Sequence, residues 1–255
     1  MNNEYLSHGY LVLKNVFSED DLGELHDALL VFHDNWRKDN DQHYSDGAVN
    51  SAYITGTKYL DEDKRLVLFK FLGSRKFMDI VEDVFPSSPA FMNTQLFFNP
   101  VDKAQRNYWH RDIQYKDSSI EEQKIALKKI NVIHFRVPLS HERGVELVPG
   151  THSRWDRENE FDIRMEQHGH KSFEDLVTGK QIELNRGDLL VFSANMIHRG
   201  LYGMDRLAFD ILFCDSDPEL VDFAVDDCLP DNSVLRAVEV PTAFRSTISL
   251  RKYSK

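Results

Sequence analysis

The order of hydrophobic patterns along the chain constrains its fold more than any single motif does. Between Leu22 and Phe32, leucine and phenylalanine recur at helical spacing, and further helical stretches are predicted at about 61–72 and 74–84. From residue 89 onward the pattern changes to short strands in close succession, without the alternation of strand and helix that βαβ units require. This order predicts an α+β protein, mainly β, in which N-terminal helices pack on one side of a β-sandwich or jelly roll.

The predicted strands are short, and turn residues separate them. They are expected at 9–15, 90–99, 110–113, 130–139, 145–148, 181–184, 189–192 and 206–213. The segment Asn185-Arg186-Gly187-Asp188 is typical of a tight turn, and it predicts a hairpin between the two strands that flank it. Charged residues predict a helical lid at 117–129 and an insertion over the top of the core at 153–179.

Length and composition set the scale of the fold and exclude two classes of partner. The 255 residues, 41% of them hydrophobic, suffice for one large domain. The net charge of −11 argues against nucleic acids and anionic membranes as partners. Cys214 and Cys228 are too few for a disulfide framework, and no apolar run is long enough to span a membrane, so a cytoplasmic location is expected. We expect a single domain over 1–255, with a helical part at about 1–88, a β core at about 89–213 and an extension at 214–255.

The tripeptide His110-Arg111-Asp112 carries the strongest chemical signal. On a strand, a His-x-Asp sequence places the imidazole and the carboxylate on the same side. His198 would add a second imidazole, and two nitrogens with one oxygen form the facial triad of non-haem Fe(II) oxygenases. The alternatives are a surface loop pair for His110 and Asp112, and a buried structural role for His198.

Further segments extend this motif into a family pattern. They are Gly-Tyr-Leu-Val-Leu-Lys-Asn-Val-Phe-Ser-Glu-Asp-Asp-Leu at 9–22, Gly-Val-Glu-Leu-Val-Pro-Gly-Thr-His at 144–152 and Gly-Asp-Leu-Leu-Val-Phe-Ser-Ala-Asn-Met-Ile-His-Arg-Gly at 187–200. Together with Tyr108-Trp109-His110-Arg111-Asp112 and Arg206, they resemble the phytanoyl-CoA dioxygenase family of Fe(II)- and 2-oxoglutarate-dependent oxygenases over roughly 5–213. The resemblance implies a double-stranded β-helix, which is a jelly-roll or cupin-like core.

The resemblance also assigns residues. It implies that His110, Asp112 and His198 hold the iron, and that Arg206 pairs with the distal carboxylate of 2-oxoglutarate. A guanidinium fork matches a carboxylate through two hydrogen bonds. The interval from His198 to Arg206 is slightly shorter than the family usually shows, and the glycines of 200–203 allow a tight turn that accommodates it.

Two other arginines bear on the co-substrate assignment. For Arg206 itself, the alternative is a surface ion pair with Asp205 or Asp210. Arg199 follows His198 directly on a predicted strand, so it is expected on the opposite face. Arg136 is the first replacement if Arg206 does not bind the co-substrate.

The interior of the barrel supplies candidate substrate residues. Along 130–137, Ile133, Phe135 and Val137 suit packing under the helices, which leaves Val132, His134 and Arg136 facing the interior. On the neighbouring strand Asn93 and Gln95 share that interior. We assign Gln95 to the co-substrate and Asn93, His134 and Arg136 to the substrate. A buried arginine needs a partner, which predicts a ligand carboxylate or phosphate at Arg136; the alternatives are an internal Asp or Glu, or a reversed strand.

The function implied is that of a dioxygenase that uses Fe(II), 2-oxoglutarate and O₂ to hydroxylate a polar or anionic small molecule, with release of succinate and CO₂. Related halogenases have a small residue in the position of Asp112, so the sequence argues against halogenation. The alternative is a non-catalytic, cupin-like protein that binds a metal or ligand on the same fold. Such a protein would not need Arg206.

Overall fold

Two antiparallel sheets and a layer of helices make up the part of the chain that the computed structural model describes, residues 2–115 and 118–253. The helices are α1 (Asn3–His8), α2 (Glu19–Asp39), α3 (Asp41–Ser45), α4 (Glu62–Leu72), α5 (Arg75–Val84), α6 (Ile120–Lys129), α7 (Glu158–Arg164), α8 (Pro218–Val221), α9 (Asn232–Ala237) and α10 (Thr242–Tyr253). The strands are β1 (Tyr10–Leu13), β2 (Asn50–Ala52), β3 (Pro89–Phe98), β4 (Val132–Pro138), β5 (Glu142–Leu147), β6 (Lys180–Leu184), β7 (Leu189–Ser193), β8 (His198–Gly200) and β9 (Leu207–Asp215). Short 3₁₀ turns lie at Asp112–Tyr115 and Asp226–Cys228.

The strands form a large sheet and a small sheet. The large sheet has the order β1-β7-β4-β9-β3-β2, and the small one has the order β6-β5-β8. Side chains of both sheets meet in one hydrophobic cluster, in which Tyr10 and Phe192 of the large sheet join Val145 and Leu147 of the small one. The predicted class, α+β with a jelly-roll core, is confirmed.

The outer face of the large sheet is covered by helices. Ser18 caps α2 and shares a capping box with Asp21. Ile133, Phe135 and Val137 of β4 lie in the same core cluster as the buried residues of α2, α4 and α5, which confirms the predicted face of this strand. Helix α10 covers the sheet further along, where the ring of Phe244 lies 5.0 Å from that of Phe91. The extension at 214–255 therefore contributes to the main core through α10.

Two predicted strand arrangements are wrong. The turn at 185–188 does not close a hairpin, because β6 pairs with β5 in the small sheet whereas β7 pairs with β1 and β4 in the large one. Asp188 holds the segment between the two sheets in place, because its carboxylate accepts hydrogen bonds from the backbone N–H groups of Asn15 and Asn185. The strand expected at 110–113 is also absent from the described residues. His110 forms a single bridge with His198, and a 3₁₀ turn begins at Asp112.

The charged segments fold locally. The predicted lid contains α6, although its residue 117 lies outside the described residues. The predicted insertion contains α7, and its Ile163 and Leu176 are buried against Trp109. Both cysteines are buried and free. No helix among the described residues combines the length and the apolar character needed to cross a membrane.

Candidate metal and co-substrate site

Backbone hydrogen bonds bring the three predicted metal ligands together. His110 and His198 exchange a reciprocal pair of N–H···O bonds, of 3.0 and 2.9 Å, and the Asp112 N–H donates to the carbonyl of Ala194 at 3.1 Å. One donor atom from each of His110, Asp112 and His198 then lies within 4.8 Å of the others. The convergence was predicted, but a bridge and a 3₁₀ turn produce it, rather than alternation along one strand.

Both imidazoles have the orientation that a metal requires. The Nδ1 atom of His110 lies 3.1 Å from the carbonyl of Tyr108, and that of His198 lies 3.0 Å from the carbonyl of Met196. These contacts leave the Nε2 atom of each ring available to a metal. The Nε2 atom lies 3.7 Å from Asp112 Oδ1 in His110 and 3.5 Å from it in His198. Burial lowers the pKa of His198 to about 3 and also lowers that of His110, which favours the neutral imidazole that binds a metal. The donor set therefore fits Fe(II).

The other oxygen of Asp112 is held by His134. The His134 Nε2 atom lies 2.8 Å from Asp112 Oδ2, and its ring stacks on Phe192 with the ring centroids 4.6 Å apart. Burial by itself would lower the pKa of His134, but the hydrogen bond to Asp112 and the nearby carboxylate of Asp210 raise it to about 9. His134 was predicted to bind substrate. It lines the cavity, but its contacts are with carboxylates of the protein, and they fix the orientation of Asp112.

Arg206 has the properties expected of an anion-binding residue. Its side chain is buried, with the guanidinium carbon 5.3 Å from the ring centroids of both Phe97 and Tyr202. The Nε atom has no hydrogen-bond partner among the described residues and lies 3.8 Å from Glu142 Oε2, while Nη1 donates a long hydrogen bond of 3.4 Å to the carbonyl of Phe98. Burial lowers the pKa of Arg206 to about 10, so the group still carries a charge near neutral pH. A buried cation with unused donors fits the distal carboxylate of 2-oxoglutarate, and the alternative of a surface ion pair is wrong.

Gly200 makes room for this guanidinium. A Cβ atom at Gly200 would lie 2.6 Å from Arg206 Nη2 and 2.9 Å from Asn107 Nδ2, both closer than ordinary contact. The Asn107 amide is itself held by the carbonyl of Gly200. The small residue after Arg199 therefore shapes the space around Arg206.

Arg136 faces the interior as predicted, but protein carboxylates satisfy its charge. Its Nε and Nη2 atoms donate to both oxygens of Glu142, at 2.7 and 2.8 Å, and Nη1 donates to Asp210 at 2.8 Å. This is the internal pairing that the sequence left open as an alternative. A ligand anion is not needed to compensate Arg136, so the argument that made it a substrate residue does not hold.

One cavity of about 460 Å³ is lined by side chains of the metal site and by both arginines, Arg136 and Arg206. Its lining includes the three predicted metal ligands, Arg206, Asn93 and Gln95. Four exposed aromatic residues also line it: Tyr53, Tyr108, Tyr115 and Phe223. Sequence reasoning missed these aromatic residues because they belong to four separate segments and follow no period.

Sequence reasoning also missed the role of Arg111, which lies between two predicted ligands. Its side chain is completely buried, and it forms an ion pair of 2.7 Å with Asp156. It also donates to the carbonyls of Thr151 and Asn195. Asp156 pairs with Arg164 of α7 as well, so the segment predicted as an insertion supports the loop of the metal site. Arg199 lies on the opposite face from His198, as predicted, where it pairs with Glu146 and Asp175.

Solved structures with this fold are numerous but distant in sequence. EctD from S. alaskensis, solved with 2-oxoglutarate and 5-hydroxyectoine, has a TM-score of 0.61 at 15% identity, covering 84% of this chain and 74% of EctD. HygX from Streptomyces hygroscopicus, solved with nickel and 2-oxoglutarate, has a TM-score of 0.58 at 15% identity, covering 84% of this chain and 87% of HygX. The epimerase SnoN from nogalamycin biosynthesis has a TM-score of 0.54 at 16% identity, covering 84% of this chain and 81% of SnoN. At these identities the comparison shows the shared fold alone.

Sequence comparisons identify the family. A search of curated proteins finds no significant match. The family model for phytanoyl-CoA dioxygenase (PhyH) matches residues 5–201, which is most of the chain and includes His110, Asp112 and His198. The match fits the donor set of the metal site and the buried guanidinium of Arg206 in the same cavity. The chain therefore belongs to the phytanoyl-CoA dioxygenase family and is an Fe(II)- and 2-oxoglutarate-dependent oxygenase, with O₂ as its second co-substrate.

Proposed function

We propose that this protein hydroxylates a small molecule, with iron held by His110, Asp112 and His198 and with 2-oxoglutarate anchored by Arg206. The observation that carries this proposal is the convergence of the three donor atoms, within 4.8 Å of one another, on a cavity that is also lined by Arg206, whose Nε has no hydrogen-bond partner among the described residues. A cupin-like protein that only binds a ligand would not need this buried arginine with an unused Nε donor beside the metal ligands.

The residues of the chain divide the work. Bound iron, together with 2-oxoglutarate and O₂, supplies the oxidative decarboxylation that yields succinate and CO₂ and oxidises a substrate C–H bond. Arg206 orients the co-substrate by holding its distal carboxylate. His134 keeps one oxygen of Asp112 engaged, which leaves the other for the metal. Gln95 lies on the same strand as Asn93, and we assign Gln95 to the co-substrate and Asn93 to the substrate.

The outer part of the cavity indicates an uncharged substrate. Besides His134, whose charge Asp112 and Asp210 compensate, the cations that line the cavity among the described residues are Arg136 and Arg206. Protein carboxylates compensate the first, and the co-substrate engages the second. What remains for the substrate is a rim of aromatic rings with amides such as Asn50 and Asn93. We therefore keep a polar small molecule, with an apolar or ring-bearing part, and give up the anionic group that an unpaired Arg136 would have required.

Succinate release tests this proposal. Protein supplied with Fe(II), ascorbate and 2-oxoglutarate should release succinate slowly, and a panel of uncharged small molecules should contain compounds that accelerate the release and gain one oxygen atom by mass spectrometry. His198→Ala should abolish turnover and weaken Co(II) binding, because it removes one ligand. Arg206→Ala should weaken 2-oxoglutarate binding by about 2–5 kcal/mol while Co(II) still binds.

Arg75→Ala is the matched control, since Arg75 is an exposed arginine on α5, outside the lining of this cavity. It should behave like the parent protein in all three assays. Two results would contradict the proposal: Co(II) binding that is unaffected by His198→Ala, or 2-oxoglutarate binding that is unaffected by Arg206→Ala. A protein that binds the metal but never releases succinate would be a binding protein on this fold.

A further inference from the structure

A chain of buried charged groups connects the metal site with Arg206. The series starts at His134, which is hydrogen-bonded to the metal ligand Asp112. The Nδ1 atom of His134 lies 3.5 Å from Asp210 Oδ2, and Asp210 Oδ1 accepts a hydrogen bond of 2.8 Å from Arg136. Arg136 also donates hydrogen bonds to both oxygens of Glu142, and Glu142 Oε2 lies 3.8 Å from Arg206 Nε. These side chains are at most 5% exposed. Water therefore screens the charges of these buried side chains poorly. Removing one charged group is expected to change which partner its neighbours pair with.

Glu142 is the carboxylate positioned to compete for Arg206. Among the described residues, it is the acidic group found within 4.0 Å of the Arg206 guanidinium. The separation of 3.8 Å is too long for a hydrogen bond. The reason is visible in the geometry, because the fork of Arg136 occupies both oxygens of Glu142 at hydrogen-bond distance.

The backbone fixes this choice of partner. Arg136 and Asp210 are directly opposite each other on the paired strands β4 and β9, so their contact is part of the strand register. Glu142 begins β5 in the small sheet. Arg136 thus reaches from the large sheet to the small one, with one end held by Asp210 and the other on Glu142.

We propose that Arg136 is a positioning residue that keeps Glu142 away from Arg206, and so leaves Arg206 free to bind the co-substrate carboxylate. This inference rests on the proposed role of Arg206. Without the fork of Arg136, Glu142 would be a buried carboxylate that has lost its two hydrogen bonds to Arg136, with the Nε atom of Arg206 3.8 Å away. A buried carboxylate forms an ion pair with the nearest cation, because leaving its charge unpaired is strongly unfavourable. The resulting ion pair would compete directly with 2-oxoglutarate.

The test compares three variants by anaerobic titration of the Co(II)-loaded protein with 2-oxoglutarate. Arg136→Met keeps the length of the side chain but removes the fork, and it should raise the Kd for 2-oxoglutarate at least tenfold. The double variant Arg136→Met/Glu142→Gln should restore most of the lost affinity, since a neutral amide competes weakly for Arg206. Arg75→Met is the matched control and should leave the Kd unchanged.

Restoration by the second substitution separates this role from its rivals. If Arg136→Met leaves the Kd unchanged, or if the double variant binds as weakly as the single one, the proposal is overturned; in the latter case Arg136 contacts the ligand itself or supports the site only structurally. If Arg136→Met does not fold, Arg136→Lys replaces it. Lysine holds one oxygen of Glu142 and frees the other, so the Kd should rise at least threefold and return when Glu142→Gln is added; no rise, or no return, overturns the proposal.

A failure of the underlying function has a different signature. In that case Arg206→Ala would bind 2-oxoglutarate as tightly as the parent protein, whatever the Arg136 variants do. A parent protein that binds the co-substrate through Arg206, combined with no restoration in the double variant, contradicts the positioning role alone.

Discussion

Gly200→Ala should weaken 2-oxoglutarate binding although it changes neither a metal ligand nor Arg206. The new Cβ atom would lie 2.6 Å from Arg206 Nη2, whereas ordinary contact begins at about 3.4 Å. The guanidinium would have to move by most of an ångström, away from the position that its burial beside Tyr202 and Phe97 now defines. The backbone at Gly200 does not have a positive φ, so alanine introduces no backbone strain there.

The size of the effect follows from the hydrogen bonds that a displaced fork loses. A full bidentate pair between buried charges is worth about 2–5 kcal/mol, and Gly200→Ala leaves the charge in place. Losing one of two hydrogen bonds to a charged group costs about 1.5–3 kcal/mol. The Kd for 2-oxoglutarate should therefore rise roughly 10- to 150-fold, while the affinity for Co(II) changes little.

Isothermal titration of the Co(II)-loaded protein with 2-oxoglutarate measures this change directly. Gly23→Ala is the matched control, because a Cβ atom on this helical glycine would meet nothing within 4 Å. The control should keep the parent Kd and gain about 0.5–1 kcal/mol of stability. A Gly200→Ala protein that folds and keeps the parent Kd within twofold would show that the Arg206 guanidinium does not hold the co-substrate in this position.

Two further substitutions separate support of the metal site from support of the fold. Arg111→Met should lower the affinity for Co(II) by about 10- to 100-fold, because Arg111 braces the loop between two predicted ligands without touching the metal; equal Co(II) affinity in the folded variant would refute this bracing role. Phe77→Ala should lower the free energy of unfolding by about 3–5 kcal/mol in urea denaturation, because the ring is completely buried against Phe71 and Phe135. The folded fraction of this variant should bind 2-oxoglutarate with the parent Kd, and a large change there would mean that the core and the site are coupled.

Local patterns predicted most of the elements, because helix caps and strand alternation are short-range properties. The helices predicted at about 61–72 and 74–84 and the two faces of β4 are examples. The hairpin at 185–188 was predicted wrongly for the same reason. The turn residues are correct, but whether a turn closes a hairpin or leads into another sheet depends on a distant contact, here between Asp188 and the backbone of Asn15.

The site divides in a similar way. The sequence predicted that His110, Asp112 and His198 converge, and the structure brings them together. It also predicted that Arg136 faces the interior, because alternation determines the face of a strand. It did not predict Glu142 as the partner of Arg136, since Glu142 lies in the other sheet and only the packing of the two sheets brings the carboxylate into reach.

The sheet order has a consequence for how the chain folds during synthesis. Among the strands of the described residues, β1, with the sequence Tyr-Leu-Val-Leu, pairs only with β7, and Tyr10 lies opposite Phe192. At about 5–20 residues per second, a ribosome needs roughly 10–40 s to make the intervening chain. During that time this apolar strand has no native partner and is open to aggregation. Because such long-range pairings slow folding, we expect closure of the barrel to be a late step, with β1 the segment that benefits most from a chaperone.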